Sequence, residues 1–120
     1  GNASFNPVSA LTRATLVQLA RDPGTASVIR NIMQEVEAVS NKLAMELPIS
    51  IDQRIAGAEK VGEHKTSMLQ DLEAGRPMEL EALVGSVVEL GERVGVPMNS
   101  TRTVYNCVKL LAQSAAQQPR

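Results

Sequence analysis

The sequence predicts an all-α protein with a single domain of about six helices. In several stretches apolar residues recur every three or four positions, which is the spacing of one face of an α-helix. Glycine and proline separate these stretches, as they commonly do between helices. No stretch of convincing length alternates apolar and polar residues as a strand would. The 120 residues suit one domain with one core, and no repeat or linker divides them.

The composition argues against several classes of partner. Lys and Arg total 12 and Asp and Glu total 13, so the formal net charge is −1 and no basic surface for nucleic acid or anionic lipid is expected. Only Phe5 and Tyr105 are aromatic, which leaves no stacking surface for bases. We see no signal peptide and no apolar run long enough to span a membrane. These features fit a cytoplasmic protein without a membrane partner.

The single cysteine and single histidine give no sign of metal chemistry. No cluster of His, Cys and carboxylate residues has the spacing of a zinc site, so we expect no metal. Cys107 lies between Val104 and Val108 in a helical pattern. This position favours a small buried apolar side chain over a reactive thiol.

The first half of the chain predicts three helices. The first runs from Pro7 toward Arg21 with Asn6 as its N-cap. After a turn at Pro23, a second and longest helix continues to Pro48. Its apolar stripe is Ile29, Ile32, Met33, Val36, Val39, Leu43 and Leu47, to which Met45 adds a second gap-filling methionine. Ser50 and Gln53 form a capping-box pattern for the third helix, which stops near Gly62.

The second half predicts a short helix, a break and two longer helices. Ser67 to Ala74 favours a helix that ends at Gly75. Pro77 suits the start of the next helix, which would place Glu79 in its first turn, where the helix dipole favours an anion. From helix geometry alone, we interpret Glu79 as a carboxylate that stabilises the helix dipole. Gly95 ends this helix, and Asn99 or Ser100 is expected to cap the last one.

Three stretches of the sequence resemble one known protein family. SMLQD, followed by Gly75-Arg76 and by Glu79 before an apolar helix, resembles the signature of the C-terminal domain of ketopantoate reductases, also called 2-dehydropantoate 2-reductases. NASFNPVSALT near the start and GVPMNSTRTVYNCVKLL near the end resemble the same family. The resemblance spans nearly all 120 residues and implies a helical fold like that of 6-phosphogluconate dehydrogenase C-terminal domains.

The resemblance also implies site residues. Glu79 corresponds to an active-site glutamate close to the reactive lysine and the nicotinamide ribose, so it is both a catalytic and a cofactor-binding candidate. Ser67 corresponds to a serine that binds the substrate carboxylate, and Asn2 and Asn6 to asparagines that bind the substrate's polar groups. From the residues alone, Asn6 remains open as a helix cap and Asn2 as a frayed terminal residue. For Arg76 an ion pair with Asp71 or Glu73 is favoured, and a contact with the ligand remains open.

The implied activity is the reduction of ketopantoate to pantoate by NADPH, in pantothenate and coenzyme A synthesis. In the family an N-terminal dinucleotide-binding domain holds most of the NADPH, and the catalytic lysine lies four residues before the first asparagine. That lysine would precede Gly1, and no Gly-x-Gly-x-x-Gly motif occurs here. We therefore expect residues 1–120 to be the C-terminal helical domain alone, inactive without its N-terminal domain.

Two alternatives remain open at this level. One is a related reductase of the same superfamily that acts on another 2-keto acid, and the other is a helical interaction module without catalysis. If the resemblance holds, Asn2, Asn6, Ser67 and Glu79 should face a common cleft. The expected partners are ketopantoate, the N-terminal domain and a second copy of the chain, which would bind through an apolar patch near Met68 and Met78. The same periodicity predicts that Ile32, Leu83 and Val87 share one core.

Overall fold

The computed structural model describes residues 3–117, and every regular element within that range is helical. The all-α prediction is therefore confirmed. The first five helices are α1 Phe5–Thr12, α2 Leu16–Arg21, α3 Pro23–Lys42, α4 Ile51–Val61 and α5 Ser67–Ala74. A π-helical turn, Glu81–Gly85, then leads directly into α6 Ser86–Arg93, and the last helix is α7 Asn99–Gln117.

The predicted first helix is in fact two helices. The chain turns at Arg13, which has a left-handed φ of 59° and donates its N–H to the carbonyl of Ser9 at 2.7 Å. Ser4 occupies the N-cap position of α1, so the interpretation of Asn6 as the cap was wrong. Asn6 instead lies in the first turn of α1, where its side chain can project from a helical backbone.

The boundaries of α3 differ from the prediction at both ends. Pro23 is not in a turn but is the first residue of the helix, and Asp22 caps it by accepting the Thr25 N–H at 2.9 Å. The helix ends at Lys42, well before Pro48, and Ala44 then adopts a positive φ of 55°. Met33 is buried as predicted, but Met45 is 60% exposed and is not a gap-filling core residue.

The local signals for α4 and α5 are confirmed. The Ser50 hydroxyl accepts the Gln53 N–H at 3.2 Å, and the Gln53 side chain accepts the Ser50 N–H at 3.0 Å. Gly62 follows α4 with a φ of 83°, and Gly75 follows α5 with a φ of 71°. Both glycines adopt backbone angles that a side chain would disfavour, which explains why these helices stop there.

The helix that follows α5 starts later than predicted. Pro77 is not helical, and the first helical residue is Leu80, so Glu79 precedes the helix instead of lying in its first turn. The carbonyl of Glu79 accepts the Leu83 N–H at 3.2 Å, as an N-cap residue does. Within this helix the buried residues Leu80, Val84 and Val88 are four positions apart. On a regular α-helix that spacing would drift by about 40° per step, and the wider π turn reduces the drift.

The N-terminus of α7 is capped from another helix. The Glu35 carboxylate on α3 accepts the backbone N–H groups of Ser100 and Thr101, each at 2.8 Å, and the Thr101 hydroxyl at 2.5 Å. The prediction that Asn99 or Ser100 caps this helix was therefore wrong. Cys107 is exposed on α7, which corrects its interpretation as a buried side chain.

The helices enclose one large apolar core and a smaller one. The large core contains Ile29 and Ile32 of α3, Leu69 of α5 and Val108 of α7, and Leu83 packs against it. The small core consists of Val39, Val96 and Met98, and Val87 packs there. The expectation that Val87 shares a core with Ile32 and Leu83 was therefore wrong, because α6 turns toward the far end of α3.

The surface around α5 also differs from one expectation. Met68 is 2% exposed and lies in the large core, so it adds nothing to an exposed apolar patch. Met78 is only partly buried and lines a surface groove with Pro77 and Ala112, so self-association through this surface stays a prediction. Arg76 forms the predicted ion pair, with its Nε 3.0 Å from Oδ1 of Asp71.

Candidate functional site

Two of the predicted site residues lie side by side. The Asn6 Nδ2 of α1 donates to the Ser67 Oγ of α5 over 3.5 Å, although 61 positions separate them in the chain. Asn6 is buried, whereas Ser67 is exposed. The long bond between a buried amide and an exposed hydroxyl leaves both groups able to turn toward a ligand at the surface.

A buried chain of hydrogen bonds lies directly beneath this pair. The Ser9 Oγ donates to the carbonyl oxygen of Asn6 at 2.7 Å and also contacts the Thr66 Oγ1. Thr66 is the N-cap of α5, and its Oγ1 accepts the Leu69 N–H at 3.2 Å. Because the one Ser9 hydroxyl proton goes to Asn6, Thr66 donates to Ser9. The chain runs from Leu69 through Thr66 and Ser9 to Asn6.

The loop that precedes Ser67 is held by α2. The first free N–H groups of α2 belong to Leu16 and Val17, and they donate to the carbonyls of His64 at 2.9 Å and Gly62 at 3.0 Å. These bonds satisfy helix donors that would otherwise lack partners. They also fix the segment that leads into Thr66. The start of α5 is therefore held by both α1 and α2.

Glu79 lies in a different environment. Its side chain is exposed, and within the described residues no hydrogen bond or ion pair is found for its carboxylate. Its neighbours Met78 and Leu80 pack in the large core, so the backbone is anchored on both sides. The structure joins Asn6 to Ser67, and no hydrogen bond links Glu79 to either of them. That these residues share one cleft stays a prediction, and Asn2 lies outside the described residues.

The π turn beside Glu79 is a feature that our sequence analysis missed. The Ser86 N–H donates to the carbonyl of Glu81, five positions earlier. The Tyr105 hydroxyl of α7 donates to the Glu81 Oε1 at 2.6 Å, and this hydrogen bond is the main cause of a raised pKa for Tyr105, followed by desolvation and the Glu81 charge. The four-residue spacing of Leu80, Val84 and Val88 was the available signal. π turns are frequent at functional sites, and this one begins shortly after Glu79 in the chain.

Metal and membrane features were also searched for within residues 3–117. That range contains no group of three or more His, Cys, Asp or Glu residues arranged to hold a metal ion. None of its helices combines the length and apolar character needed to cross a bilayer.

Comparison with known proteins adds a family to this geometry. The family described as "Ketopantoate reductase PanE/ApbA C terminal" matches residues 1–112. This chain belongs to that family. The predicted family is thus confirmed, and with it the helical C-terminal fold.

Curated relatives of this chain are named as 2-dehydropantoate 2-reductases. The 2-dehydropantoate 2-reductase of Mesorhizobium japonicum is 52% identical over 112 residues, which cover 93% of this chain and 34% of that protein. The 2-dehydropantoate 2-reductase of Archaeoglobus fulgidus is 33% identical over 90% of this chain and 36% of its own length. The chain therefore spans about a third of the relatives that it matches.

Solved structures agree in fold. The 2-dehydropantoate 2-reductase from Methylococcus capsulatus superimposes with a TM-score of 0.85 at 38% identity, covering 98% of this chain and 41% of that one. A D-mandelate dehydrogenase crystallised with NADH gives a TM-score of 0.83 at 21% identity, over 95% of this chain and 40% of that one. At that identity the second likeness concerns the fold alone.

Proposed function

We propose that this chain is the substrate-binding part of an NADPH-dependent 2-dehydropantoate 2-reductase, which reduces ketopantoate to pantoate in pantothenate and coenzyme A synthesis. The family membership and the names of the relatives support the reaction. The observation that carries the site is the Asn6–Ser67 pair, because it joins two candidate residues from opposite halves of the chain. The cytoplasmic location expected from the composition is part of the same proposal.

The Asn6–Ser67 pair suits the carboxylate of a 2-keto acid. The amide of Asn6 and the hydroxyl of Ser67 are neutral donors that can both bind one anionic oxygen. Their atoms are 3.5 Å apart, so an oxygen placed between them can lie within hydrogen-bond distance of both. Ser67 is also the first residue of α5, and the N-terminus of a helix favours an anion. These features support binding of the substrate through its carboxylate.

Glu79 suits the cofactor side of the site. NADPH, when bound, supplies the hydride for the ketone. We assign to Glu79 the role of accepting hydrogen bonds from a ribose hydroxyl and from the lysine that the resemblance places before Gly1. Its exposed carboxylate has no side-chain partner within the described residues, which leaves its oxygens available. Residues 3–117 contain no strand and hence no strand, glycine-rich loop and helix to cradle a pyrophosphate. We therefore propose that most NADPH contacts come from an N-terminal dinucleotide-binding domain.

A chimeric reductase tests this proposal. Residues 1–112 of this chain replace the matching segment of the Mesorhizobium japonicum relative, which keeps its own N-terminal part. We expect this chimera to oxidise NADPH with ketopantoate, and the 120 residues alone to show no turnover, because positioning of the two reactants supplies roughly 7–11 kcal/mol of the barrier. Turnover by the 120 residues alone, or a folded chimera without activity, would contradict the proposal.

Substitution of Ser67 in the chimera tests the site itself. Ser67→Ala should raise the KM for ketopantoate about tenfold or more, since a hydrogen bond to a charged group contributes about 1.5–3 kcal/mol. The KM for NADPH should stay within twofold. Ser27→Ala, also at an exposed helical serine, is the matched control and should change neither constant. An unchanged KM for ketopantoate in Ser67→Ala would remove Ser67 from the site.

A further inference from the structure

The hydroxyl groups of Ser9 and Thr66 have no role in the reaction proposed above, yet Ser9 bonds the backbone of Asn6 and Thr66 immediately precedes Ser67. Ser9 is 0% exposed and Thr66 is 6% exposed. Buried hydroxyl groups need hydrogen-bond partners, and the capping of α5 accounts for only one of the bonds made here, the one from Leu69 to Thr66. A serine and a threonine that bond each other between two helices therefore invite a functional explanation.

We propose that Ser9 and Thr66 are positioning residues that set the spacing between the Asn6 amide and the Ser67 hydroxyl. This inference rests on the proposed function, because it concerns the same carboxylate-binding pair. Neither hydroxyl touches the substrate. Each acts through the residue that it holds.

The connections on the two sides of this pair are direct. On the α1 side, Ser9 bonds the carbonyl of Asn6 itself and so fixes the backbone from which the amide projects. On the α5 side, Thr66 caps the helix through Leu69 and immediately precedes Ser67, so it fixes the backbone at the base of that hydroxyl. The Ser9–Thr66 contact joins the two backbones. A shift of either hydroxyl changes the separation of the two donors.

The direction of the hydrogen bonds makes the series from Leu69 to Asn6 sensitive to the loss of a single hydroxyl group. Every hydroxyl along it accepts one hydrogen bond and donates the next, and such chains strengthen each member. Replacing Thr66 by valine keeps the side-chain shape but leaves the Leu69 N–H without its cap and Ser9 without its donor. Replacing Thr66 by serine keeps both bonds. The comparison of these two variants separates hydrogen bonding from packing.

The test measures both Michaelis constants in the chimeric reductase. Thr66→Val should raise the KM for ketopantoate about three- to tenfold, less than Ser67→Ala because the Thr66 hydroxyl does not contact the substrate, and leave the KM for NADPH within twofold. Ser9→Ala should do the same, and Thr66→Ser should stay within twofold for both substrates. If Thr66→Val fails to fold, Ser9→Ala and Thr66→Ser still decide the matter. A KM for ketopantoate that is unchanged in Ser9→Ala, or that rises as much in Thr66→Ser, would overturn the proposal.

Thr101 supplies the matched structural control. It too is a buried threonine at a helix N-terminus, but its hydroxyl bonds Glu35 of α3 and not a residue of α1 or α5. Thr101→Val and Thr66→Val should both lower the melting temperature, because each removes a buried hydrogen bond at a helix N-terminus, but in Thr101→Val the KM for ketopantoate should stay within twofold. An equal rise of that KM in both variants would show that general loosening is the cause, and would refute a positioning role.

Combination with Ser67→Ala separates this inference from the proposed function. If Thr66 acts through Ser67, Thr66→Val should raise the KM by less than twofold once Ser67 is alanine. Fully additive effects would refute the positioning role while leaving the carboxylate site intact. If Ser67→Ala alone leaves the KM for ketopantoate unchanged, the proposed site itself is wrong and the positioning role falls with it.

Discussion

Asn6 and Ser67 are held by buried hydrogen bonds between two helices, whereas Glu79 is exposed at the end of a connection and is anchored only through its backbone and its neighbours. The first region is organised entirely within this chain. The second presents a carboxylate whose partners, in our proposal, come from the cofactor and from outside residues 1–120. Under the proposed function, α1 and α5 provide substrate binding and Glu79 contributes to the chemical step.

The largest effect should come from Glu79. In the chimeric reductase, Glu79→Gln should lower kcat about 10²-fold, the lower end of the range for groups that act in proton transfer or orient its participants. The KM for ketopantoate should change less than threefold, in contrast to Ser67→Ala. Glu46→Gln, at another exposed carboxylate, is the control and should leave kcat unchanged. A raised KM with unchanged kcat would place Glu79 with the binding residues and remove the distinction.

A middle-sized effect should come from Gly85, which lies in the π turn. A Cβ there would be 2.5 Å from the Glu81 Oε2 and 3.1 Å from the Tyr105 ring, so the Tyr105–Glu81 bond would have to shift. Gly57 in α4 is the matched control, because nothing lies within 4 Å of its added Cβ. Gly57→Ala should stabilise the 120-residue chain by about 0.5–1 kcal/mol.

Gly85→Ala gains the same helix propensity, but its Cβ would displace the flexible Glu81 carboxylate and disturb the hydrogen bond from Tyr105, a kind of bond that typically contributes about 0.5–1.5 kcal/mol. In urea unfolding followed by circular dichroism, it should therefore be less stable than Gly57→Ala by about that amount. Equal stability of the two variants would show that the π turn tolerates a side chain at position 85. The close approach of Tyr105 to Gly85 would then not be needed for the structure next to Glu79.

The smallest effect concerns the ionisation of Tyr105. As the single tyrosine, it can be titrated by its tyrosinate absorbance in the intact chain. The hydrogen bond to Glu81 raises its pKa above the ordinary 10.0. Because the folded-state pKa is the higher one, the bond's contribution to stability is complete below about pH 10 and is lost as the pH rises through the folded pKa. Glu81→Ala should return the pKa toward 10.0, and an unchanged titration would mean that the bond does not persist in solution.

The predictable parts of this fold are those with local causes. The capping box of Ser50 and Gln53 and the stop at Gly75 depend on residues within a few positions of each other, and both are as the sequence predicts. The break at Arg13 was missed because a positive φ there is adopted by arginine and not by the expected glycine or asparagine. The exposure of Cys107 depends on how far α7 rotates against its neighbours, which periodicity alone does not fix.

The candidate site likewise contains features that the sequence predicts and features that only the packing of the helices creates. Ser67, Asn6 and Glu79 could be named from the sequence only because the strings around them resemble a family. The proximity of Asn6 and Ser67 follows from the packing of α1 on α5, which brings together residues 61 positions apart. Ser9 and Thr66 were not recognised, since a lone serine and a lone threonine have no pattern in the sequence. Their significance depends on a contact that exists only after the helices pack.

The cap of α7 by Glu35 has a consequence for the order of folding. Met98 precedes α7 and accepts the Arg102 N–H at 2.8 Å, but its side chain has no oxygen with which to cap the helix. The first turn of α7 is therefore completed only when α3, 65 positions earlier, is already in place. We expect this turn to be among the late events, formed after the transition state, so that Glu35→Gln mainly accelerates unfolding and leaves the folding rate nearly unchanged. The N-terminal turn of α7 would thus dock late, onto a helical core that has already assembled.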